Sequence, residues 1–244
     1  MNVYIYKDNG YVPYVPTSNT LFYVTNNWEI SDHSQYNHTM NWYWTGQYTT
    51  LSTWQKVAKF DWSNLIHSNS FNEANSYTTF TMHWRVKKTS TVTSDTSPFW
   101  WMWRNQNSSS TTDRWWAKWQ TEPWATTNWY IIYWWWTSDW IKNTSVWFIP
   151  STSSFDLMTV TINWKTISIY KNATQVWSWT WSVNILWWST TWTTIFAWWA
   201  WTYNWTAAAF QPFEMWEFIL EKRVWTANEI ANYYNNTKSL YWIS

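Results

Sequence analysis

The stretch that decides the fold is Leu157-Met158-Thr159-Val160-Thr161-Ile162, followed by Asn163-Trp164-Lys165 and then Thr166-Ile167-Ser168-Ile169-Tyr170. Val160 and Ile162 alternate with Thr159 and Thr161, and Ile167 and Ile169 alternate with Thr166 and Ser168. Successive side chains of a strand point to opposite faces, so each run buries one face and shows the other. Two such runs joined by so short a link form an antiparallel hairpin. Asn-Gly is the strongest short hairpin signal, because the tight turn needs positive φ. A bulky residue held at positive φ is an outlier. Here tryptophan stands where glycine is wanted.

The same exchange recurs along the chain. Its 244 residues include 33 Trp and only 2 Gly, whereas ordinary composition would give roughly 17 glycines. Asp61-Trp62-Ser63-Asn64, Trp198-Trp199-Ala200-Trp201 and Asn204-Trp205 all become turn signals when Trp is read as Gly. The sequence therefore predicts that most Trp correspond to UGA codons, which an alternative genetic code reads as glycine. A genuinely Trp-rich protein, built for a membrane interface or for stacking on glycans, would explain the Trp count. It would explain neither the missing glycine nor the placement after Asn, Asp and Ser. On this basis Trp62, Trp164 and Trp205 are expected in turns with largely exposed rings, several of them at positive φ. A polypeptide that carried every indole would display aromatic patches and aggregate.

Trp225 is a genuine tryptophan by the same logic. It precedes Thr226-Ala227-Asn228-Glu229, a capping box with Thr226 as N-cap and Glu229 three residues on. A hydrophobic residue before the cap packs as a staple on the fourth helical residue, here Ile230. Trp116 is a second candidate, since Trp115-Trp116-Ala117 reads naturally as Gly-Trp-Ala.

A chain of this length fits one all-β domain. Net charge is +1, with 15 basic and 14 acidic residues, which gives no electrostatic case for nucleic acid or an anionic membrane. Cysteine is absent, so disulfide and thiol chemistry are excluded. Met1 to Val12 lacks a basic region followed by an apolar run, so no secretory signal peptide is expected. No run of 18 apolar residues occurs, so no spanning helix and no membrane insertion are expected.

Residues 1–16 read as an extended leader or linker because of Pro13 and Pro16, and residues 17–244 as one domain. Short Thr/Ser-rich β runs at close spacing mark a sandwich or barrel. Further strands are expected at Leu21–Val24, Val57–Phe60, Thr78–Lys87, Tyr130–Tyr133, Ser145–Ile149, Ser182–Leu186, Thr193–Ala197 and Met215–Lys222. A second turn is expected at Lys171-Asn172-Ala173-Thr174, leading to Gln175-Val176. One helix is expected at 227–235, with Ile230, Tyr233 and Tyr234 on its apolar face.

With Trp read as Gly, four stretches resemble the laminin G-like or concanavalin A-like lectin and glucanase jelly-roll family, in its bacterial and viral branch. They are Asp32-His-Ser-Gln-Tyr-Asn-His38-Thr39, Val57-Ala-Lys-Phe60-Asp61-Trp62-Ser63-Asn64, Phe80-Thr-Met-His-Trp-Arg-Val86-Lys87, and the closing run Trp216 to Tyr234. The last is the most specific. Arg85 departs from the pattern where the family often has an aromatic, and Asn172-Ala173 stands where Asn-Gly is usual. The resemblance covers about residues 20–244. It implies a two-sheet antiparallel jelly-roll sandwich with one short C-terminal helix, but fold does not fix function.

Catalysis by paired carboxylates is not expected. Retaining and inverting glycosidases hold their two carboxyls about 5–5.5 Å or 6.5–9.5 Å apart, whereas Glu217 and Glu221, four residues apart on one strand face, would stand roughly 13 Å apart. Both read as solvated edge residues. His33, His38, His67 and His83 show no zinc-ligand spacing and read as surface or turn histidines. No cofactor is expected; a calcium ion would take loop oxygens such as Asp61, Asn64 and Asp139. Because most Trp are suspect, ligand-stacking candidates come from Tyr36, Tyr43 and Tyr130, with Asn107 in a polar Asn105–Asp113 loop as a hydrogen-bonding tip. The expectation is a non-enzymatic module that binds a glycan or a surface protein, extracellular, cell-surface or virion-associated, in a surface or phage tail- or fibre-like protein. The alternatives are a purely structural assembly module and, last, a glycoside hydrolase.

Overall fold

A computed structural model of the protein describes residues 14–25, 31–43, 47–51, 56–60, 65–68, 73, 77–89, 98–106, 111–122, 125–134, 140–143, 150–180, 193–197 and 213–240. The strands are β1 (Thr20–Thr25), β2 (Ser31–Asp32), β3 (Met40–Tyr43), β4 (Tyr48–Thr50), β5 (Lys56–Phe60), β6 (Leu65–Ser68), β7 (Thr79–Lys88) and β8 (Pro98–Gln106), then β9 (Thr111–Glu122), β10 (Ala125–Trp134), β11 (Trp140–Asn143), β12 (Asp156–Asn163), β13 (Thr166–Lys171), β14 (Thr174–Thr180), β15 (Thr193–Ala197) and β16 (Phe213–Glu221). One helix, α1 (Ala227–Thr237), runs into a 3-10 turn at Lys238–Leu240. Among the described residues no helix is long and apolar enough to cross a membrane.

The protein is an all-β, two-sheet antiparallel sandwich of jelly-roll type. One sheet runs β14-β13-β12-β7-β16-β1-β2, with β5 on the first part of β16 and β4 beside β5. The other runs β11-β10-β9-β8-β15-β6-β3. The expected strands at Leu21–Val24, Val57–Phe60, Thr78–Lys87, Thr193–Ala197 and Met215–Lys222 are present within a residue or two, and Tyr130–Tyr133 lies inside β10. The strands expected at Ser145–Ile149 and Ser182–Leu186 lie outside the described residues. The expected 105–113 loop is shorter than the sequence implied, because Asn105 pairs with Thr112 and Gln106 with Thr111 in a β8–β9 hairpin. Polar composition alone does not distinguish a paired strand from a loop.

Register explains the core. Phe80, Met82 and Trp84 of β7 sit across from Ile162, Val160 and Met158 of β12 and from Leu220 and Phe218 of β16. These side chains share one face, are all buried, and close the sandwich. Burying each such side chain contributes about 1.5–3 kcal/mol.

The decisive hairpin is β12–β13, with Asn163 across from Thr166 and Trp164-Lys165 as its two-residue loop. Trp164 has φ 51° and is 49% exposed. Positive φ at the first central residue alone is the type II′ pattern, whose first central position belongs to glycine. The next hairpin turns through Asn172 at φ 50° and Ala173 at φ 68°, both positive as a type I′ turn requires. Trp62 and Trp205 lie outside the described residues.

The opposite face of the larger sheet is covered as well. Thr226 caps α1 through both halves of a capping box, and α1 extends two residues beyond the expected 235. Trp225 and Ile230 meet in one buried cluster with Tyr14, Tyr23, Tyr170 and Ile219, as a hydrophobic staple does. Tyr14, which the sequence assigns to the leader, is part of this core.

Candidate functional site

The covered face is where the polar residues of the sheet collect. Thr81, His83 and Arg85 alternate on β7, and Glu217, Ile219 and Glu221 face the same way on β16. Arg85 Nε lies 3.2 Å from Glu217 Oε1, and both side chains are 1% exposed. Arg85 also donates to Thr237 Oγ1 at 2.7 Å, and the Tyr233 hydroxyl donates to Glu217 at 2.9 Å. Glu221 accepts from the Tyr14 hydroxyl and the Trp225 indole N–H, and pairs with Arg223 at 2.7 Å. Burial and the Glu221 charge push the Tyr14 phenol well above its usual range. His83 is fully buried, with Nδ1 2.8 Å from Thr159 Oγ1. Burial, then the Arg85 and Arg223 charges, push it down to about 3, so it is neutral.

This layer corrects two expectations. Glu217 and Glu221 are not solvated edge residues; β16 is a central strand and α1 with Trp225 and Tyr14 lies over them. His83 is not a surface histidine for the same reason. The missed signal was the capping box itself, since a helix docked directly after the closing strand implies that the strand's outer face is covered. Buried charges must be paired and hydrogen-bonded, and these are, which leaves both carboxylates structural.

A second polar centre shapes one end of the sandwich. The Asp32 carboxylate accepts from the backbone N–H of Tyr23 (3.0 Å), Ser34 (2.9 Å) and His38 (2.9 Å), and from the Ser34 hydroxyl at 2.8 Å. His38 Nδ1 is 2.7 Å away. Burial alone would raise the Asp32 carboxyl, but His38 and these N–H groups outweigh it and hold it below its usual range. The His38 ring stacks on Phe22 at 4.2 Å, its Nε2 lies 3.5 Å from Glu73, and Tyr36 tilts against it at 5.6 Å. His38, expected at the surface, thus has a side chain only 8% exposed. The loop is held from within, which fixes where Tyr36 stands.

Tyr36 belongs to a surface group at that end. Lys222, just past β16, places Nζ 4.8 Å from the Tyr77 ring centroid. The Tyr77 hydroxyl, then that of Tyr36, hold the Lys222 ammonium above its usual range. The Lys222 N–H donates to the Asn19 carbonyl at 2.9 Å, Thr79 donates to the Lys222 carbonyl at 3.2 Å, and the exposed Gln35 donates to the Ser18 carbonyl at 3.4 Å. The Trp164 N–H donates to Thr78 at 3.2 Å, which places the decisive turn at the same end. Tyr36, Tyr77 and Lys222 are half-buried, with Gln35 and Ser18 at the rim. Lys222 and Tyr77 carried no sequence signal, because they are far apart in the chain and meet only through the β7–β16 pairing.

The other sequence candidates do not join this group. Tyr43 ends β3 at one edge of the smaller sheet, and Tyr130 lies on β10, next to the other edge. Five strand spacings separate them, about 24 Å. Asn107, Asp61, Asn64 and Asp139 lie outside the described residues.

No family model matches the sequence, and no curated protein matches it. Solved structures do match. The binding domain of Paraclostridial Mosquitocidal Protein 1 superposes with TM-score 0.60 at 15% identity, over 89% of this chain and 52% of that one. Domain 4 of AbnA, an extracellular arabinanase of Geobacillus stearothermophilus solved with arabinotriose, gives 0.58 at 14% identity, over 88% of this chain and 97% of that one. The binding domain of botulinum neurotoxin DC, solved with SialylT, gives 0.56 at 11%, over 89% and 51%. The chain thus spans about half the length of the toxin binding domains and nearly all of the arabinanase domain. At these identities the likeness is one of fold.

Proposed function

We propose that this sandwich is a non-enzymatic glycan-recognition module of an extracellular, cell-surface or virion-borne protein, such as a phage tail or fibre component. The observation that carries the proposal is the match to nearly the whole of an arabinanase domain solved with a bound sugar. The carboxylates agree with it: Asp32, Asp156, Glu214, Glu217 and Glu221 each pair with a basic or imidazole group of the fold, so none stands ready as acid or nucleophile. A glycan array probed with the full chain tests it, with binding to at least one sugar class expected. No binding to any sugar, together with self-association in sedimentation, would favour the structural assembly alternative; release of reducing sugar would favour the hydrolase.

The protein for that array carries glycine at its UGA positions. The proposal that UGA specifies glycine is supported by the φ and exposure of Trp164. It does not extend to every Trp. Trp84 and Trp216 are 1% and 6% exposed and pack as core residues do, Trp216 edge-on to Phe155 at 5.6 Å.

A further inference from the structure

The Tyr36–Tyr77–Lys222 group narrows the class of sugar, on the premise that the module binds glycans at all. Four cations among the described residues, Arg85, Lys87, Lys171 and Arg223, each pair with a carboxylate. Lys222 stands against an aromatic ring. Among the described residues no carboxylate pairs with it, and its neighbours are two tyrosines. An ammonium above an aromatic face keeps its charge, because the ring quadrupole attracts it, yet it retains N–H donors for an anion. Lysine serves anions as a point charge with rotatable donors. Around it stand two phenol rings, the kind of amphipathic surface that offers a sugar one apolar face and one polar edge. The backbone beneath is fixed by the Asn19, Thr79 and Asp32 hydrogen bonds, so little ordering is needed on binding.

We infer that this end of the sandwich is a subsite for a carboxylate-bearing sugar residue, with the Lys222 ammonium on the carboxylate, and Tyr36 and Tyr77 against the ring and its hydroxyls. The class is acidic glycans, of sialic or uronic type, rather than neutral ones. Tyr36 was legible in the sequence as a loop aromatic; the cation that gives it a ligand preference was not.

The test measures binding of the full chain to sialylated and enzymatically desialylated oligosaccharides, and to a glucuronate-terminated and a glucose-terminated pair. Lys222→Gln is compared with Lys165→Gln, which removes the same charge from the exposed turn at the same end. The expected result is preference for the acidic member of at least one pair, weakened about tenfold by Lys222→Gln, as for loss of one charge-assisted hydrogen bond. Lys165→Gln is expected to leave that preference in place. Equal binding of acidic and neutral members, or an acidic preference that survives Lys222→Gln, overturns the subsite and leaves the glycan module standing. Binding to neither member of either pair overturns the subsite, and the wider array then decides the module. Circular dichroism of Lys222→Gln confirms that the side chain, rather than the fold, has been removed.

Discussion

Trp164 and Trp225 are the same residue in opposite physical settings. Trp164 sits in a two-residue turn at φ 51° with 49% of its surface exposed. Its backbone asks for a residue without a Cβ, and its indole packs no core. Trp225 is 6% exposed, donates its indole N–H to Glu221, packs 4.2 Å from His83 and staples α1 through Ile230. One position is indifferent to the ring and hostile to the side chain; the other depends on both. A tryptophan count cannot separate the two, but backbone conformation and burial do.

The contrast can be broken most sharply at Trp225. Trp225→Gly is expected to cost about 3–5 kcal/mol, the usual loss for emptying a buried Trp site, read as a lowered urea midpoint. A change below about 1 kcal/mol would mean that the staple is dispensable. A comparable loss, about 3–5 kcal/mol, is expected for Arg85→Met, because it strands the buried Glu217 without its cation. Replacing both partners by apolar residues should recover much of it, and failure to do so would show that packing rather than charge sets the cost.

A pH-dependent effect, absent at neutral pH, comes from His83, which lies under the same indole. Its folded pKa is depressed to about 3 from 6.5. The unfolded chain therefore takes up a proton below about pH 6.5 that the folded chain refuses until about pH 3. Stability contributed by His83 is full above pH 6.5 and is lost progressively as pH falls through that window. His83→Gln should flatten the acid limb of a stability-against-pH curve; an unchanged limb would place the titration elsewhere. Least in size and opposite in sign, Trp164→Gly should stabilise by about 1 kcal/mol, because positive φ costs an L-residue roughly that much. For a domain of this size that raises Tm by about 2–4 °C. Destabilisation would mean that the indole is a working part of the turn.

The contrast also explains what the sequence reveals. The β12–β13 hairpin, the capping box and the Trp225 staple are local signals, written within a few residues of one another, and each is present as read. The burial of Glu217, Glu221 and His83 is not local. Strand alternation assigns polar residues to the open face, and only docking of α1 and of Tyr14, from the far end of the chain, closes that face. The candidate site divides the same way. Tyr36 is legible because it lies in a loop, while Tyr77 and Lys222 come together only through strand pairing across most of the chain. Tyr43 and Tyr130 share a residue type with Tyr36 but not a place, since sheet order sets them far apart.

The most direct measurement is the coding triplet at each tryptophan, read from the gene. The account predicts UGA at position 164, and also at 62, 198, 199, 201 and 205, with UGG at 225. UGG at both 164 and 225 would contradict it and make the chain a true tryptophan-rich protein.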